Sequence, residues 1–178
     1  MNFLIIGNIA AGKSSLADAL IEKEFVKKEN VFDIDDLRRE CSDGTFAGEF
    51  RAWARMLEMI QYPPPADNAV YEFSGTGKNA WFVREAIKYS KENASNTNWR
   101  VVYCSSDKKE LLKRTENRVY DTPMPYVFSD IGRSLDFIGG ELSSRYNTNY
   151  WGSPEIVVST DKNSPKECVD LILQSISL

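Results

Sequence analysis

The sequence predicts a three-layer α/β fold, in which a five-stranded parallel sheet carries helices on both of its faces. Five short apolar segments alternate with segments of helical periodicity along the 178 residues, a pattern that is typical of parallel sheets. The first strand enters a glycine loop that leads directly into a helix, and this order of elements forms phosphate sites. The length predicts one domain, residues 1–178, with a substantial core.

The glycine loop is the most specific motif in the chain. It follows the apolar run 3–6 and matches G-x-x-x-x-G-K-[ST] as Gly7-Asn8-Ile9-Ala10-Ala11-Gly12-Lys13-Ser14. Glycines allow backbone N–H groups to converge on phosphate oxygens, and the N-terminus of the following helix adds positive potential. We therefore expect ATP here, with Lys13 at the β- and γ-phosphates and Ser14 on Mg²⁺. The expected nucleotide-binding residues are Gly7, Asn8, Ala10, Ala11, Gly12, Lys13, Ser14 and Ser15.

Composition narrows the chemistry that the chain can perform. The net charge is −4, so the chain as a whole is not a basic nucleic-acid binder, although a local basic surface stays open. Histidine is absent, so a proton acceptor at neutral pH should be a carboxylate. The three cysteines are scattered, and we find neither a signal peptide nor a long apolar run. We therefore expect a reduced, cytoplasmic protein without membrane contact.

The second predicted strand, 31–34, ends among aspartates. A helix is expected from about Asp35, and both Asp35 and Asp36 are candidates for its N-cap. Asp33 and Asp35 alternate along the strand end, so we expect their side chains to point to opposite sides. One of them can then face the γ-phosphate while the other faces the adjacent pocket; the alternative is that both only cap the helix.

Apolar periodicity and capping residues define the elements that follow. The third, fourth and fifth predicted strands are 69–73, 99–104 and 155–159. One helix face after the second strand consists of Phe50, Trp53, Leu57 and Ile60. The helix at about 79–92 is expected to bury Trp81, Phe82, Ala86 and Ile87. Two more helices begin at the caps Asp107/Glu110 and Ser164/Glu167, and another spans about 129–146.

Polar residues end the third strand at the edge where the loop also lies. Glu72 stands within this apolar strand, where an unpaired carboxylate is costly to bury. It can hold Mg²⁺ through water, or it can simply accept N–H bonds. The turn 74–77 follows, and we expect Ser74 and Gly75 to contact the acceptor together with Glu72. Ligands bind beyond the carboxyl ends of parallel strands, so these residues should share one crevice with the glycine loop.

Two groups of arginines are candidates for phosphate contacts. Arg114 and Arg118 are one turn apart and precede a proline-containing loop, so we expect them to clamp ATP phosphates within a lid at about 114–128. The second group lies in an acceptor-side insert at about 36–68, among aromatic residues, and comprises Arg38, Arg39, Arg51 and Arg55. Basic and aromatic residues together suit an acceptor that carries phosphate and a flat ring. The alternative is a solvated face of arginines over core aromatics.

Over nearly its whole length the chain resembles P-loop kinases of the nucleoside-monophosphate-kinase-like group. This resemblance implies a P-loop NTPase fold with strand order 2-3-1-4-5 and Mg²⁺- and ATP-dependent phosphoryl transfer. Phe32-Asp33-Ile34-Asp35 is similar to the D-x-D of shikimate and gluconate kinases. That similarity implies that Asp33 works beside the metal and the acceptor hydroxyl, while Asp35 helps to hold the acceptor. The third strand departs from the group, because no Walker B aspartate closes it.

A closer resemblance is to phage kinases that act on hydroxymethyluracil in DNA. It rests on the run from Asp35 through Ser42-Asp43-Gly44-Thr45 to Glu49, and on Glu72-Phe73-Ser74-Gly75-Thr76-Gly77. It implies that the acceptor is the hydroxymethyl group of a modified pyrimidine in DNA, and that the protein works in the host cytoplasm. The alternative acceptors are a free nucleoside, a nucleotide and a small metabolite. No obligate protein partner is indicated.

Two other classes of function can be compared with a kinase. A GTPase-like switch should carry N-K-x-D, and Thr160-Asp161-Lys162-Asn163 does not match it. The D-x-x-G match at residues 136–139 falls far too late and inside a predicted helix. A binding protein with a vestigial loop is disfavoured by the intact Lys13-Ser14 pair.

Overall fold

The sheet has five parallel strands, as the alternation of elements predicts. The structure is a computed structural model that describes residues 1–116, 122–123 and 130–176. The strands are β1 (Asn2–Gly7), β2 (Val31–Asp33), β3 (Ala69–Phe73), β4 (Trp99–Ser105) and β5 (Glu155–Ser159). Their order is β2-β3-β1-β4-β5, and every neighbouring pair is parallel. The predicted fold class and strand order are confirmed.

Helices cover both faces of this sheet. They are α1 (Lys13–Glu22), α2 (Ile34–Cys41), α3 (Phe46–Gln61), α4 (Asn79–Asn93), α5 (Lys108–Glu116), α6 (Ile131–Asn147) and α7 (Pro165–Ile176). The predicted cap of α5 is confirmed, because Asp107 Oδ1 accepts from the Glu110 N–H at 2.9 Å. The predicted cap of α7 is confirmed as well, since the Ser164 N–H donates to Glu167 Oε2 at 2.7 Å. Within the described ranges, no helix is long and apolar enough to cross a membrane.

The strand β1 separates two apolar layers. Phe3 and Ile5 belong to the layer that contains α1 and α7, while Leu4 and Ile6 belong to the layer that contains α3 and α4. All four side chains are fully buried. Because β1 is central and sandwiched, the loop that follows it must emerge at the carboxyl edge of the sheet.

The predicted buried faces of α3 and α4 are correct in part: Trp53, Ile60, Ala86 and Ile87 are buried as expected, whereas three aromatic side chains are not. Phe50 on α3 is 74% exposed, and Trp81 and Phe82 on α4 are 53% and 47% exposed. The buried positions carry smaller or more flexible side chains, namely Ala52 and Met56 on α3 and Ala80 and Val83 on α4. The two helices pack against each other as well as against the sheet. Small side chains permit this close approach, and Phe50, Trp81 and Phe82 lie outside the contact.

The predicted boundary between β2 and α2 is also wrong. The strand ends at Asp33 and the helix begins at Ile34, so Asp35 lies in the first helical turn and not on a strand. The N-cap is Asp33, not Asp35 or Asp36: Asp33 Oδ1 accepts from the Asp35 N–H at 3.0 Å. The expected placement of Asp33 and Asp35 on opposite sides of a strand end therefore does not occur.

We predict that Gly75→Ala destabilises the fold more than Gly44→Ala. Both glycines have left-handed backbones, with φ of +80° and +81°, so alanine costs about 1–2 kcal/mol at either position. A Cβ at Gly75 would lie 2.7 Å from the Cβ of Ile6, whereas a Cβ at Gly44 meets nothing within 4 Å. That contact adds about 1–3 kcal/mol. Urea unfolding of both variants measures the difference, and equal losses would contradict the argument.

Candidate active site

The glycine loop turns from β1 into α1 with its lysine folded inward. Gly12 has φ of +84° and Ala10 has φ of +58°, and these left-handed residues turn the chain into the helix. Lys13 Nζ donates to the carbonyl oxygens of Asn8 at 3.1 Å and Gly7 at 3.3 Å. The ammonium group is therefore held over the loop, at the position from which it can reach a bound phosphate.

The loop opens into a cleft of about 1100 Å³ at the carboxyl edge of the sheet. Three predicted segments meet there: the glycine loop, the start of α2, and the chain between β3 and α4. Two further segments line the cleft, namely the first turns of α6 and the turn between β5 and α7. Sequence reasoning assigned no role to these two segments, although α6 contributes Arg133 and Phe137 to the lining.

Two carboxylates lie beside the lysine and the serine of the loop. Glu72 is 2% exposed and pairs in register with Asp33 on the neighbouring strand. Burial, with a smaller contribution from the charge of Asp33, raises the pKa of Glu72 to about 8, although Lys13 and a hydrogen bond with Ser14 oppose the shift. Burial also raises the pKa of Asp33, and the N–H of Asp35 and the charge of Lys13 oppose that increase.

The residues around Ser14 fit a magnesium ion that is shared with a nucleotide. Glu72 Oε2 is buried and has no hydrogen-bond partner among the residues that the structure describes, and the carboxyl group lies beside the Ser14 hydroxyl. Across residues 1–116, 122–123 and 130–176, no group of three or more acidic, cysteine or histidine side chains gathers closely enough to form a complete metal site. Mg²⁺ commonly binds one or two carboxylates and completes its shell with water and phosphate oxygens. Ser14, Asp33 and Glu72 suit that mode.

A buried ion-pair network forms the wall of the cleft beside α2. Arg38 donates to both carboxylate oxygens of Glu49, at 2.9 and 2.6 Å, and to Asp35 Oδ1 at 2.8 Å. Trp53 Nε1 donates to the same Glu49 at 2.8 Å, and the Arg38 guanidinium lies over the Trp53 ring. Sequence reasoning gave Glu49 no role, because its partner lies eleven residues away on another helix. The network fixes Asp35 and Arg38 in position.

Two of the predicted acceptor arginines, Arg51 and Arg55, lie outside the cleft lining. Arg51 is exposed; it donates to the Cys41 carbonyl at 3.1 Å and lies 3.4 Å from Asp43. Arg55 is exposed as well and pairs with Glu58 at 2.7 Å. Both side chains are available to a large partner that approaches from solvent, and a small molecule within the cleft would not meet them.

Arg114 ties the glycine loop to the turn after β5. Its guanidinium donates to the Thr160 carbonyl at 2.9 Å and to the Ala10 carbonyl at 3.4 Å, and it pairs with Glu110 at 2.9 Å. Thr160 Oγ1 in turn donates to the Ala11 carbonyl at 2.9 Å. Arg118 and most of the predicted lid at 114–128 lie outside the described residues.

The turn after β3 is compact and polar. Ser74 Oγ and Thr76 Oγ1 are 3.0 Å apart, and both residues line the cleft. Gly75 does not line it; its left-handed backbone instead packs directly against Ile6 of β1. Two residues of this turn were expected at the acceptor. Ser74 lines the cleft, whereas Gly75 gives the turn its shape.

The five-stranded parallel sheet with helices on both faces matches the fold of P-loop kinases, and three solved kinases illustrate the likeness. Shikimate kinase from Acinetobacter baumannii, in complex with shikimate, matches with a TM-score of 0.65 and 18% identity, covering 98% of this chain and 92% of that chain. Deoxyadenosine kinase from M. mycoides with bound dATP matches with a TM-score of 0.63 and 13% identity over 100% of both chains. A gluconokinase from Sinorhizobium meliloti 1021 matches with a TM-score of 0.58 and 15% identity, covering 99% of this chain and 91% of that chain.

Sequence comparisons add nothing to this likeness. No protein-family model matches the chain, and no curated protein matches it. At identities of 13% to 18%, similarity to the solved structures shows the fold alone. The activity of this chain has to be argued from its own residues.

We predict that Glu72→Gln changes how stability depends on pH. The folded-state pKa of about 8 exceeds the ordinary value of 4.5, so the protonated acid stabilises the fold below about pH 4.5. This contribution falls as the pH rises and is lost above about pH 8. In denaturant unfolding, the free energy of unfolding of Glu72→Gln should match that of the wild type near pH 5. Near pH 9 it should exceed the wild-type value by a few kcal/mol, because a pKa difference of one corresponds to about 1.4 kcal/mol.

The exposed Glu58→Gln on α3 controls for the loss of one negative charge. A difference between Glu72→Gln and the wild type that stays constant from pH 5 to pH 9 would show that Glu72 titrates normally.

Proposed function

We propose that this chain is a Mg²⁺-dependent phosphotransferase that uses ATP. The observation that carries the proposal is that Lys13, Ser14 and Asp33 share one cleft, with the Glu72 carboxyl group buried beside them. Phosphoryl transfer requires charge neutralisation at the phosphates and an oriented acceptor hydroxyl, with little covalent chemistry from the protein. The cleft provides a cationic end for the donor and an anionic end for the acceptor.

Each step of phosphoryl transfer can be assigned to residues at the cleft. The loop amides and the ammonium group of Lys13 bind the β- and γ-phosphates, after Lys13 leaves the carbonyls of Gly7 and Asn8. Mg²⁺, when bound, neutralises charge on the same phosphates, and Ser14, Asp33 and Glu72 would hold it. Asp33 orients the acceptor hydroxyl and takes its proton as the new O–P bond forms and the bond to ADP breaks.

We further propose that the acceptor is the hydroxymethyl group of a modified pyrimidine in DNA. Support comes from Phe137, which lines the cleft, is 64% exposed and suits a flat ring. Trp53 and Phe73 also line the cleft, but they are buried and pack against each other. The resemblance of residues 42–49 and 72–77 to phage hydroxymethyluracil kinases points the same way. A base in duplex DNA must leave the stack to enter the cleft, at a cost of about a few kcal/mol.

A free metabolite or nucleoside is the second candidate acceptor, and a specific observation favours it. Arg38 is already bound to Glu49 and Asp35, and Arg51 and Arg55 lie outside the cleft lining. A small acceptor needs none of these arginines for backbone phosphates. The structural neighbours described above include kinases whose names specify shikimate and deoxyadenosine.

We predict that Lys13→Ala abolishes phosphoryl transfer, because the developing charge on the γ-phosphate loses its cation. Asp33→Asn should lower kcat by at least about 100-fold with little change in ATP affinity, since the contact acts chiefly in the transition state. Transfer from γ-labelled ATP is measured across nucleosides, nucleotides, sugars, and DNA with and without hydroxymethylated pyrimidines. Wild-type rates in Lys13→Ala would refute the site, and ATP hydrolysis without a phosphorylated product would favour the regulatory switch.

The acceptor proposal predicts a dependence on salt. Transfer to hydroxymethylated DNA should weaken steeply with added salt, and Arg51→Ala and Arg55→Ala should each reduce the slope of log KM against log salt by about one. Arg84→Ala, on the exposed side of α4, is the control arginine for net charge. Efficient transfer to a free nucleoside, nucleotide or sugar, with none to modified DNA, would refute this acceptor and leave the kinase assignment intact.

A further inference from the structure

Helix α6 is bonded to the glycine loop through Asn8. Asn8 Nδ2 donates to the Leu135 carbonyl on α6 at 2.8 Å, and both residues are buried. Asn8 Oδ1 accepts from the Ile9 N–H at 2.9 Å, so the side-chain amide is held at both ends. Any movement of the loop at Asn8 is therefore transmitted to this turn of α6.

The same helix is bonded to the turn after β3 through Glu141 and Arg145. Glu141 Oε2 accepts from the Gly77 N–H at 2.7 Å, and Arg145 Nη2 donates to the Gly77 carbonyl at 3.4 Å. Arg145 Nη2 also lies 3.5 Å from Glu141 Oε1, which orients the carboxylate. The two side chains thus hold both polar groups of the Gly77 backbone.

The Arg145 side chain is itself fixed in place. It is 14% exposed, and its guanidinium lies 4.6 Å from the centre of the Tyr150 ring. Leu135 and Glu141 are six residues apart, which is about 9 Å along a helix. A helix of this length behaves as a rigid connector, so its two contacts move together.

We propose that α6 couples the glycine loop to the acceptor-side turn 74–77, and that Glu141 is the positioning residue at the acceptor end. This inference rests on the proposed function, because it assumes that nucleotide binds at the loop. Nucleotide that binds at the loop fixes the position of Asn8, and Asn8 in turn fixes α6. Glu141 on α6 then fixes the turn that places Ser74 and Thr76 at the cleft. The turn reaches its working position when the donor is bound.

Amide hydrogen exchange at Gly77, with and without saturating Mg-ADP, tests this coupling. In the wild type, Mg-ADP should slow exchange of the Gly77 amide by at least about fivefold, the lower end of ordinary coupling between sites. In Asn8→Ala, at a concentration of Mg-ADP that calorimetry shows to saturate this variant, the effect should vanish although the bond from Gly77 to Glu141 is intact. Glu141→Ala should abolish it as well, and Glu141→Gln should restore part of it, because an amide oxygen still accepts from Gly77.

Asp136→Ala is the matched control, since Asp136 lies on the same helix and pairs with exposed Lys108. It should retain the full effect of Mg-ADP. Calorimetry first shows whether Mg-ADP binds the wild type; absence of binding would refute the proposed function and the coupling together. Binding without any change at Gly77, or a full effect in Asn8→Ala, would refute the coupling alone.

Discussion

The burial of β1 on both faces is the constraint on which the site depends. A strand that is sandwiched between two apolar layers can release its backbone only at its end, so the glycine loop forms at the carboxyl edge. The last residues of the strand also set the spacing of the neighbouring turn. Gly75 packs against Ile6 so closely that a single added Cβ would lie 2.7 Å from the Ile6 Cβ. The same strand thereby brings the donor loop and the start of the acceptor-side turn to one edge of the sheet.

Electrostatics at this edge favour a bound cation. Burial raises the pKa of both Glu72 and Asp33; the charge of Asp33 raises the pKa of Glu72 further, and the charges of Asp35 and Asp36 contribute to the raised pKa of Asp33. Lys13 opposes these shifts, yet it is needed at the phosphates when a nucleotide arrives. Phosphate groups add more negative charge to a site that is already poor in solvent, so a divalent cation beside Ser14 would relieve repulsion on both sides. The proposed requirement for Mg²⁺ follows from this imbalance of charge.

The strands and caps could be predicted from the sequence because their signals are local. Apolar runs bounded by turn residues marked β3 and β5, and Asp107 marked the start of α5. The buried faces of α3 and α4 could be predicted only in part: Trp53 and Ile87 are buried as expected, but packing between helices also selects small side chains such as Ala52. Pairs that join distant elements, such as Glu141 with Gly77, leave no local pattern at all. The parts of the site that lie within one segment could therefore be predicted from the sequence, whereas contacts between two distant segments could not.

Asp33 shows how local structure and chemistry constrain each other. As the N-cap of α2, it gives one carboxylate oxygen to the Asp35 N–H, which fixes the direction of the whole group. The helix N-terminus favours the ionised form, whereas burial and the neighbouring carboxylates favour the protonated form. Burial dominates, so the pKa is raised and the group is a stronger base than an exposed aspartate. A fixed direction and raised basicity are properties that a proton acceptor needs in a chain without histidine.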